Sequence, residues 1–315
     1  MTKKIAFLFP GQGSQSVGMG KDLYENFAAA KNVFDSADEV LRKSITTICF
    51  EGPEEDLKQT INTQPSIVTT SIAALEAFKS ELDIEPYTTA GHSLGEYCAM
   101  YASGVMSLET TLQAIQKRAD LMGATKGGAM AAILNAPEGS LEKALEEASS
   151  VGYVDVANYN SPAQVVITGD EAAVAKAGEL LSAAGARRVV PLAVSGAFHS
   201  KFMENAGHEF EAFVSELELN DAKIAVFTNV DAQATVLSAE FKHKMPKQIY
   251  SSVHWTQTIQ NMVAEGVDTF IEIGPGKVLS GLVKKIDPSV KTYNIFDKDS
   301  LESTVSALKE ELTLA

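Results

Sequence analysis

A serine with a glycine two positions away on each side is the candidate nucleophile of this sequence. The residues are Gly91-His92-Ser93-Leu94-Gly95. Where this pattern joins a strand to a helix, the glycines allow a sharp turn that leaves the serine hydroxyl exposed. The N–H of Leu94 would then face the oxyanion formed when the serine attacks a carbonyl group. The spacing alone is common, so a plain glycine-containing turn is the alternative interpretation.

A serine hydroxyl needs a general base, and His199 is the best candidate among the five histidines. It follows the last strand of a predicted small domain, where the chain returns to a larger one and a cleft is expected. A buried structural histidine is the alternative. The remaining histidines are interpreted as structural or surface residues: His92, His208, His243 and His254.

Two other features could complete a site for attack on a carbonyl group. Gly11-Gln12-Gly13 follows the first predicted strand and could offer the N–H of Gln12 as a second oxyanion donor. Arg118 lies in a helix that should begin after Ser107 and end at Gly123. Its guanidinium group could bind a carboxylate through two hydrogen bonds. The alternatives are a simple strand-to-helix turn and an arginine that complements the helix dipole.

The group that would orient His199 is less clear from the sequence. Asp231 and Glu272 fit this role only loosely. A main-chain carbonyl oxygen could perform the same task by accepting the imidazole Nδ1 proton.

The surrounding elements indicate an α/β protein with an insertion. The apolar run at residues 5–9 predicts a strand buried on both faces, as in a parallel sheet. Residues 126–196 show the order β-α-β-β-α-β, which is typical of a ferredoxin-like domain. Two domains are therefore predicted: a discontinuous catalytic domain formed by residues 1–125 and 197–315, and an inserted domain formed by residues 126–196.

Composition excludes several classes of protein. The chain has 315 residues, of which 45% are hydrophobic, and a net charge of −15. The acidic balance argues against binding to nucleic acid or to an anionic membrane surface. The two cysteines cannot form a disulfide framework, and no spacing of ligands predicts a metal site. The first apolar run is too short for a signal peptide, so a cytoplasmic location is expected.

Taken together, these motifs resemble the malonyl-CoA:acyl carrier protein transacylases of bacterial fatty acid synthesis. The resemblance covers essentially the whole chain and implies an α/β-hydrolase-like large domain with a ferredoxin-like insertion. The motifs that carry it are Phe9-Pro10-Gly11-Gln12-Gly13-Ser14-Gln15, Gly91-His92-Ser93-Leu94-Gly95-Glu96, Arg118, Asn160-Ser161-Pro162, Gly196-Ala197-Phe198-His199-Ser200, Gln248 and Glu272-Ile273-Gly274-Pro275-Gly276.

The resemblance implies a role for each candidate residue. Ser93 would be the nucleophile that accepts the acyl group, and His199 would be its base. Arg118 would bind the malonyl carboxylate. The N–H groups of Gln12 and Leu94 would form the oxyanion hole.

Two further residues enter through the resemblance alone. The main-chain carbonyl of Gln248 would orient the catalytic histidine, and Phe198 would crowd the α-carbon of the acyl group. The implied reaction is ping-pong transfer from malonyl-CoA to acyl carrier protein, an acidic partner, by a monomer that needs no cofactor. The alternatives are a serine esterase or thioesterase and a catalytically silent module that docks carrier proteins.

Overall fold

The computed structural model describes residues 3–313, and its larger sheet has six strands. Their spatial order is β10-β9-β1-β2-β7-β8, and every neighbouring pair is parallel except β7 with β8. The strands are β1 Ile5–Phe9, β2 Thr88–Gly91, β7 Val226–Phe227, β8 Ala234–Thr235, β9 Thr269–Ile273 and β10 Lys291–Ile295.

Strand β1 is buried on both faces of this sheet. Phe7 and Phe9 belong to one apolar cluster, whereas Ala6 and Leu8 belong to another. Successive side chains of a strand point to opposite faces, so helices must cover both sides of the sheet. Because both faces of the strand are buried, its sequence is a continuous apolar run.

Twelve α-helices and one 3₁₀ helix belong to this larger part among the described residues. The α-helices are α1 Lys21–Asn26, α2 Ala28–Leu41, α3 Ile45–Glu51, α4 Glu54–Leu57, α5 Thr60–Glu81, α6 Gly95–Ala102, α7 Leu108–Ala124, α10 Glu204–Ser215, α11 Ser238–Tyr250, α12 Trp255–Ala264, α13 Val278–Ile286 and α14 Lys298–Thr313. The 3₁₀ helix is Lys201–Met203.

The second sheet is antiparallel, with the order β4-β5-β3-β6. Its strands are β3 Ala129–Leu134, β4 Val154–Ser161, β5 Gln164–Gly169 and β6 Arg188–Pro191, and its helices are α8 Ser140–Ala148 and α9 Glu171–Ala184. Both helices pack on one face, where Ile133, Ile167 and Leu181 form a separate core. The opposite face of the sheet contributes to the main core through Ala132 and Val166.

The predicted fold class is confirmed: a largely parallel sheet with helices, plus a β-α-β-β-α-β unit. The division at residues 126 and 196 stays a prediction. Gly127 and Gly196 form a parallel bridge close to those two positions. The prediction that Gly123 ends helix α7 is wrong, because the helix continues through it to Ala124. Within residues 3–313, no helix is long and apolar enough to cross a bilayer.

Candidate active site

Ser93 occupies a tight turn between strand β2 and helix α6. Its backbone lies in the left-handed region, with a φ of 51°. The flanking glycines are required by close packing. A Cβ atom on Gly91 would lie 1.9 Å from the carbonyl carbon of Gly95, and one on Gly95 would lie 2.2 Å from the carbonyl oxygen of Phe9. The turn is therefore built from two closely packed glycines: Gly91 lies against the start of helix α6, and Gly95 lies against strand β1.

The Ser93 hydroxyl forms a hydrogen bond with His199. The distance from Ser93 Oγ to His199 Nε2 is 2.8 Å, although the two residues lie 106 positions apart. His199 Nδ1 lies 2.9 Å from the carbonyl oxygen of Gln248 and 3.1 Å from that of Ser251. Carbonyl oxygens only accept hydrogen bonds, so Nδ1 must carry the proton and Nε2 must offer its lone pair. This is the tautomer that a general base requires.

The surroundings of His199 favour its neutral form. The side chain is only 5% exposed. Burial, followed by the positive charge of Arg118, lowers the pKa of His199 to about 3, and the hydrogen bond to Gln248 opposes this shift only in part. At neutral pH the imidazole is therefore uncharged and free to accept a proton.

Arg118 is buried beside the serine, with 1% of its surface exposed. Its Nη1 donates to Gln64 Oε1 at 2.6 Å, and its Nη2 donates to Ser93 Oγ and to Gln248 Oε1, both at 3.0 Å. Burial lowers the pKa of the guanidinium group, which nevertheless stays charged at any ordinary pH.

The charge of Arg118 has no bonded carboxylate partner among residues 3–313. Its acceptors there are neutral oxygens, and its Nε has none. A buried cation without an ion pair is costly, so this arrangement suits a ligand that brings its own negative charge.

A cavity of about 110 Å³ joins these groups. Its wall includes Ser93, Arg118, His199, Gln12 and Phe198. Within the described part of the chain, the N–H groups of Gln12 and Leu94 have no hydrogen-bond acceptor. They are free to bind an oxyanion.

A second cavity, of about 230 Å³, adjoins the first. The two share Gln12, His92, Asn158 and Leu192, and the second also contacts Val278 and Leu282 of helix α13. Together they form a passage between the larger part and the second sheet. A thioester could reach Ser93 along it.

The two acidic residues considered for orienting His199 have other partners. Asp231 pairs with Lys244 at 2.8 Å, and Glu272 accepts the N–H groups of Leu279 and Ser280. The carbonyl groups of Gln248 and Ser251 occupy the place of an acid at Nδ1. In residues 3–313, no group of three or more His, Cys, Asp or Glu side chains could hold a metal ion.

Three of the other histidines have packing or polar contacts, and His243 is exposed. His92 Nε2 bonds to Asn160 Oδ1 at 2.7 Å, and the ring of His254 stacks on Tyr159. His208 packs against Tyr250. These contacts agree with the interpretation of His92 and His254 as structural residues, and His208 is an exposed residue that also packs against a neighbouring ring.

The sequence did not predict two polar side chains of the site, nor the carbonyl group of Ser251 that accepts from His199. Gln64 accepts a hydrogen bond from Arg118, and Asn229 accepts one from the backbone of Ser93. The sequence carries a weak signal for Gln64, because this residue lies in a polar stretch next to Pro65, and such a pattern is typical of a loop. Asn229 had none.

Comparison with known proteins agrees with this geometry. Residues 6–298 match the family described as acyl transferase domain. The chain belongs to this acyl transferase family. Its match to a malonyl CoA-acyl carrier protein transacylase from Bacillus subtilis (strain 168) is 46% identical over 312 residues and covers 98% of each chain. The resemblance seen in the motifs is thereby confirmed.

Solved structures of other acyltransferases have the same fold. A malonyl CoA-acyl carrier protein transacylase from Clostridium perfringens is 38% identical with a TM-score of 0.94, and the match covers 99% of both chains. A malonyl-transacylase in complex with a type II PKS acyl-carrier protein is 34% identical with a TM-score of 0.93, covering 97% of this chain and 100% of that one.

Proposed function

We propose that this acyltransferase moves the malonyl group of malonyl-CoA onto the phosphopantetheine thiol of an acyl carrier protein. The reaction would run through a malonyl ester of Ser93 and supply the extender unit for fatty acid synthesis. One observation carries the proposal: the buried guanidinium group of Arg118, which bonds to no carboxylate among residues 3–313, lies 3.0 Å from the Ser93 hydroxyl. A nucleophile beside such a cation suits an acyl group that ends in a carboxylate.

In the first half-reaction, malonyl-CoA binds with its carboxylate on Arg118. His199 Nε2 takes the Ser93 proton while Oγ bonds to the thioester carbon. The N–H groups of Gln12 and Leu94 hold the oxyanion, and such a donor contributes about 3 kcal/mol to transition-state stabilisation. The C–S bond then breaks, and CoA leaves as a thiol with the proton returned by His199.

In the second half-reaction, the carrier's thiol replaces CoA. His199 removes the thiol proton as sulfur attacks the ester carbon, and Ser93 leaves with that proton. All the groups used belong to this chain or to its two substrates, so the proposal includes no cofactor. The proposal also includes the cytoplasmic location that is expected from the sequence.

Substrate charge would adjust the strength of the base. The positive charge of Arg118 lowers the pKa of His199 in the free protein. A bound malonyl carboxylate would neutralise that charge and raise the pKa of the imidazole. His199 would then become a stronger base when the correct acyl group is present.

Selectivity for malonyl groups would also depend on Phe198. This side chain is buried and lies in the wall of the 110 Å³ cavity. It would crowd the α-carbon and disfavour a methyl branch there. A serine esterase on the same turn would favour an apolar residue in place of Arg118, and a silent docking module would need neither nucleophile nor base.

The test is to incubate the protein with labelled malonyl-CoA and then add the carrier protein. Label should appear on Ser93, be absent in Ser93→Ala, and pass to the carrier thiol rather than to free malonate. Arg118→Ala should lose at least about 100-fold in malonyl transfer but keep some acetyl transfer. Release as free malonate would support a hydrolase, and equal losses for both acyl groups would contradict the role of Arg118.

A further inference from the structure

Two fully buried polar residues lie behind the Ser93 turn and touch no reacting atom. Asn229 follows strand β7, which pairs with strand β2, and Glu96 lies in the first turn of helix α6. Neither has a part in the reaction proposed above. Burial of an amide and a carboxyl group is unfavourable unless both are bonded, so their contacts deserve a physical explanation.

The side chain of Asn229 bridges the two arms of the turn. Its Oδ1 accepts the N–H of Ser93 at 2.7 Å, and its Nδ2 donates to the carbonyl oxygen of Gly91 at 2.7 Å. One amide thus binds the residue before the turn and the nucleophile itself. Because the Ser93 N–H is occupied, the N–H of Leu94 is the free donor on this side of the cavity.

Glu96 holds Asn229 in place from the other side. Its Oε2 accepts the main-chain N–H of Asn229 at 2.6 Å. Ser93, Glu96 and Asn229 therefore connect the end of strand β2, the start of helix α6 and the loop after strand β7. A side chain fixed through both its backbone and its amide has little freedom to move.

The turn needs such support because its conformation is unfavourable. Ser93 has a positive φ, which an L residue with a side chain rarely adopts unless its surroundings impose it. We infer that Asn229 is a positioning residue that holds the Ser93 turn and thereby sets the contact between Ser93 Oγ and His199, with Glu96 fixing Asn229. This inference rests on the proposed function, in which Ser93 is the nucleophile.

The experiment compares Asn229→Leu with the wild-type chain. The leucine side chain has a similar size to that of asparagine but no polar atoms. The rate of malonyl-Ser93 formation in a single turnover should fall by about 100-fold, because a small displacement of the nucleophile has an effect of that order. The dissociation constant for malonyl-CoA, measured in a Ser93→Ala background, should change less than twofold, since Arg118 keeps its contact with Gln64.

Asn294→Leu provides the matched control for loss of a polar side chain. Asn294 lies on strand β10, which is separated from β2 by strands β9 and β1, and its side chain donates to Glu272 and Ser280. Its loss should lower stability without a selective effect on acylation. An acylation rate for Asn229→Leu within threefold of wild type, or a loss shared equally by substrate binding, would overturn the inference.

A second pair of variants, at Glu96, tests the inference if Asn229→Leu does not fold. Glu96→Gln retains an oxygen for the Asn229 N–H, whereas Glu96→Leu removes it. Glu96→Gln should therefore acylate at least tenfold faster than Glu96→Leu, and equal rates would contradict the inference.

An uncharged probe separates this result from the proposed function. Phenylmethylsulfonyl fluoride modifies an activated serine without any malonyl site. If wild type reacts at Ser93 with the probe but forms no malonyl ester, the proposed function fails. The positioning role is then still decided by whether Asn229→Leu reacts about 100-fold more slowly with the probe.

Discussion

The base at the centre of this site obtains its properties from two carbonyl oxygens and a nearby cation. The carbonyl groups of Gln248 and Ser251 hold the Nδ1 proton, while burial and Arg118 keep the ring neutral. A carboxylate at Nδ1 would instead favour the imidazolium form. The use of carbonyls therefore preserves a neutral imidazole beside a guanidinium group.

This arrangement predicts an unusual pH dependence for the reactivity of Ser93. The neutral form of His199 is the active one, and its pKa is lowered to about 3 from an ordinary value near 6.5. Reactivity should consequently stay level as the pH falls from 8 to 5.5, since protonation begins only well below that range. The measurement is the rate of Ser93 modification by phenylmethylsulfonyl fluoride across this pH range. An acid limb with a midpoint near 6.5 that persists in Glu96→Gln would contradict the lowered pKa of His199.

Two variants identify the titrating group if the rate of Ser93 modification does change with pH. Arg118→Met removes a positive charge that lowers the pKa of His199, so its acid limb should move to higher pH. Burial raises the pKa of Glu96 to about 7, so that carboxyl group also titrates in the range measured. A slope that disappears in Glu96→Gln would belong to Glu96 rather than to the base.

Among the secondary-structure elements, the contact between strand β1 and the start of helix α6 imposes the glycine pattern. Gly95→Ala would place a Cβ atom 2.2 Å from a main-chain oxygen of Phe9, and backbone at the centre of a sheet has little room to shift. We expect it to reduce the free energy of unfolding by at least about 2 kcal/mol.

Gly281→Ala is the matched control for this prediction. Gly281 lies within helix α13, and no atom lies within 4 Å of the Cβ that alanine would add there. Alanine should stabilise the protein by up to about 1 kcal/mol, because it favours a helix over the unfolded chain. Chemical denaturation measures both changes. A Gly95→Ala protein as stable as wild type would show that the turn does not require glycine.

Elements defined by local pattern could be predicted from the sequence, and those defined by distant contacts could not. Strand β1 has the predicted bounds, because a continuous apolar run determines them. Helix α5 instead begins in a polar stretch, at Thr60. Its first turns are polar but buried, since Thr63 and Gln64 bond to Leu57 and Arg118.

The same distinction applies to the site. Ser93 and Gln12 stand in local glycine patterns, and His199 follows the last strand of the predicted insertion, where a cleft is expected. The roles of Gln248 and Phe198 were indicated by the resemblance alone. Asn229 is bound to a backbone group 136 positions away. Nothing in its own neighbourhood of the sequence indicates that contact, because it arises only when strands β2 and β7 pair.

The two parts of the chain are joined directly at the site. Val253 exchanges hydrogen bonds with Ala157 and Tyr159 of strand β4, and Ser252 donates to the carbonyl of Val156. The preceding residue, Ser251, accepts from His199. The segment that orients the base is thus also the segment that attaches the second sheet, so movement of that sheet would disturb the base.

The net charge of the chain bears on how a carrier protein would approach. At −15, the protein as a whole would repel the acidic carrier expected for this family, so attraction must come from a local basic group. Arg188 is well placed for this role. It pairs with Leu134 in strand β3, and Leu134 pairs with Gln164, which lies in the wall of the second cavity, of about 230 Å³. Lys284 is less suitable, because its amine already bonds to the carbonyl of Val290.

Arg188→Glu should accordingly raise the KM for the carrier protein by about tenfold at low salt, and the difference should shrink as salt screens the charge. The KM for malonyl-CoA should stay within twofold of wild type. Lys143→Glu makes the same change in net charge on helix α8, which covers the other face of the same sheet, and should affect the carrier far less. Equal effects of the two reversals would mean that the carrier senses total charge rather than a patch beside the cavity.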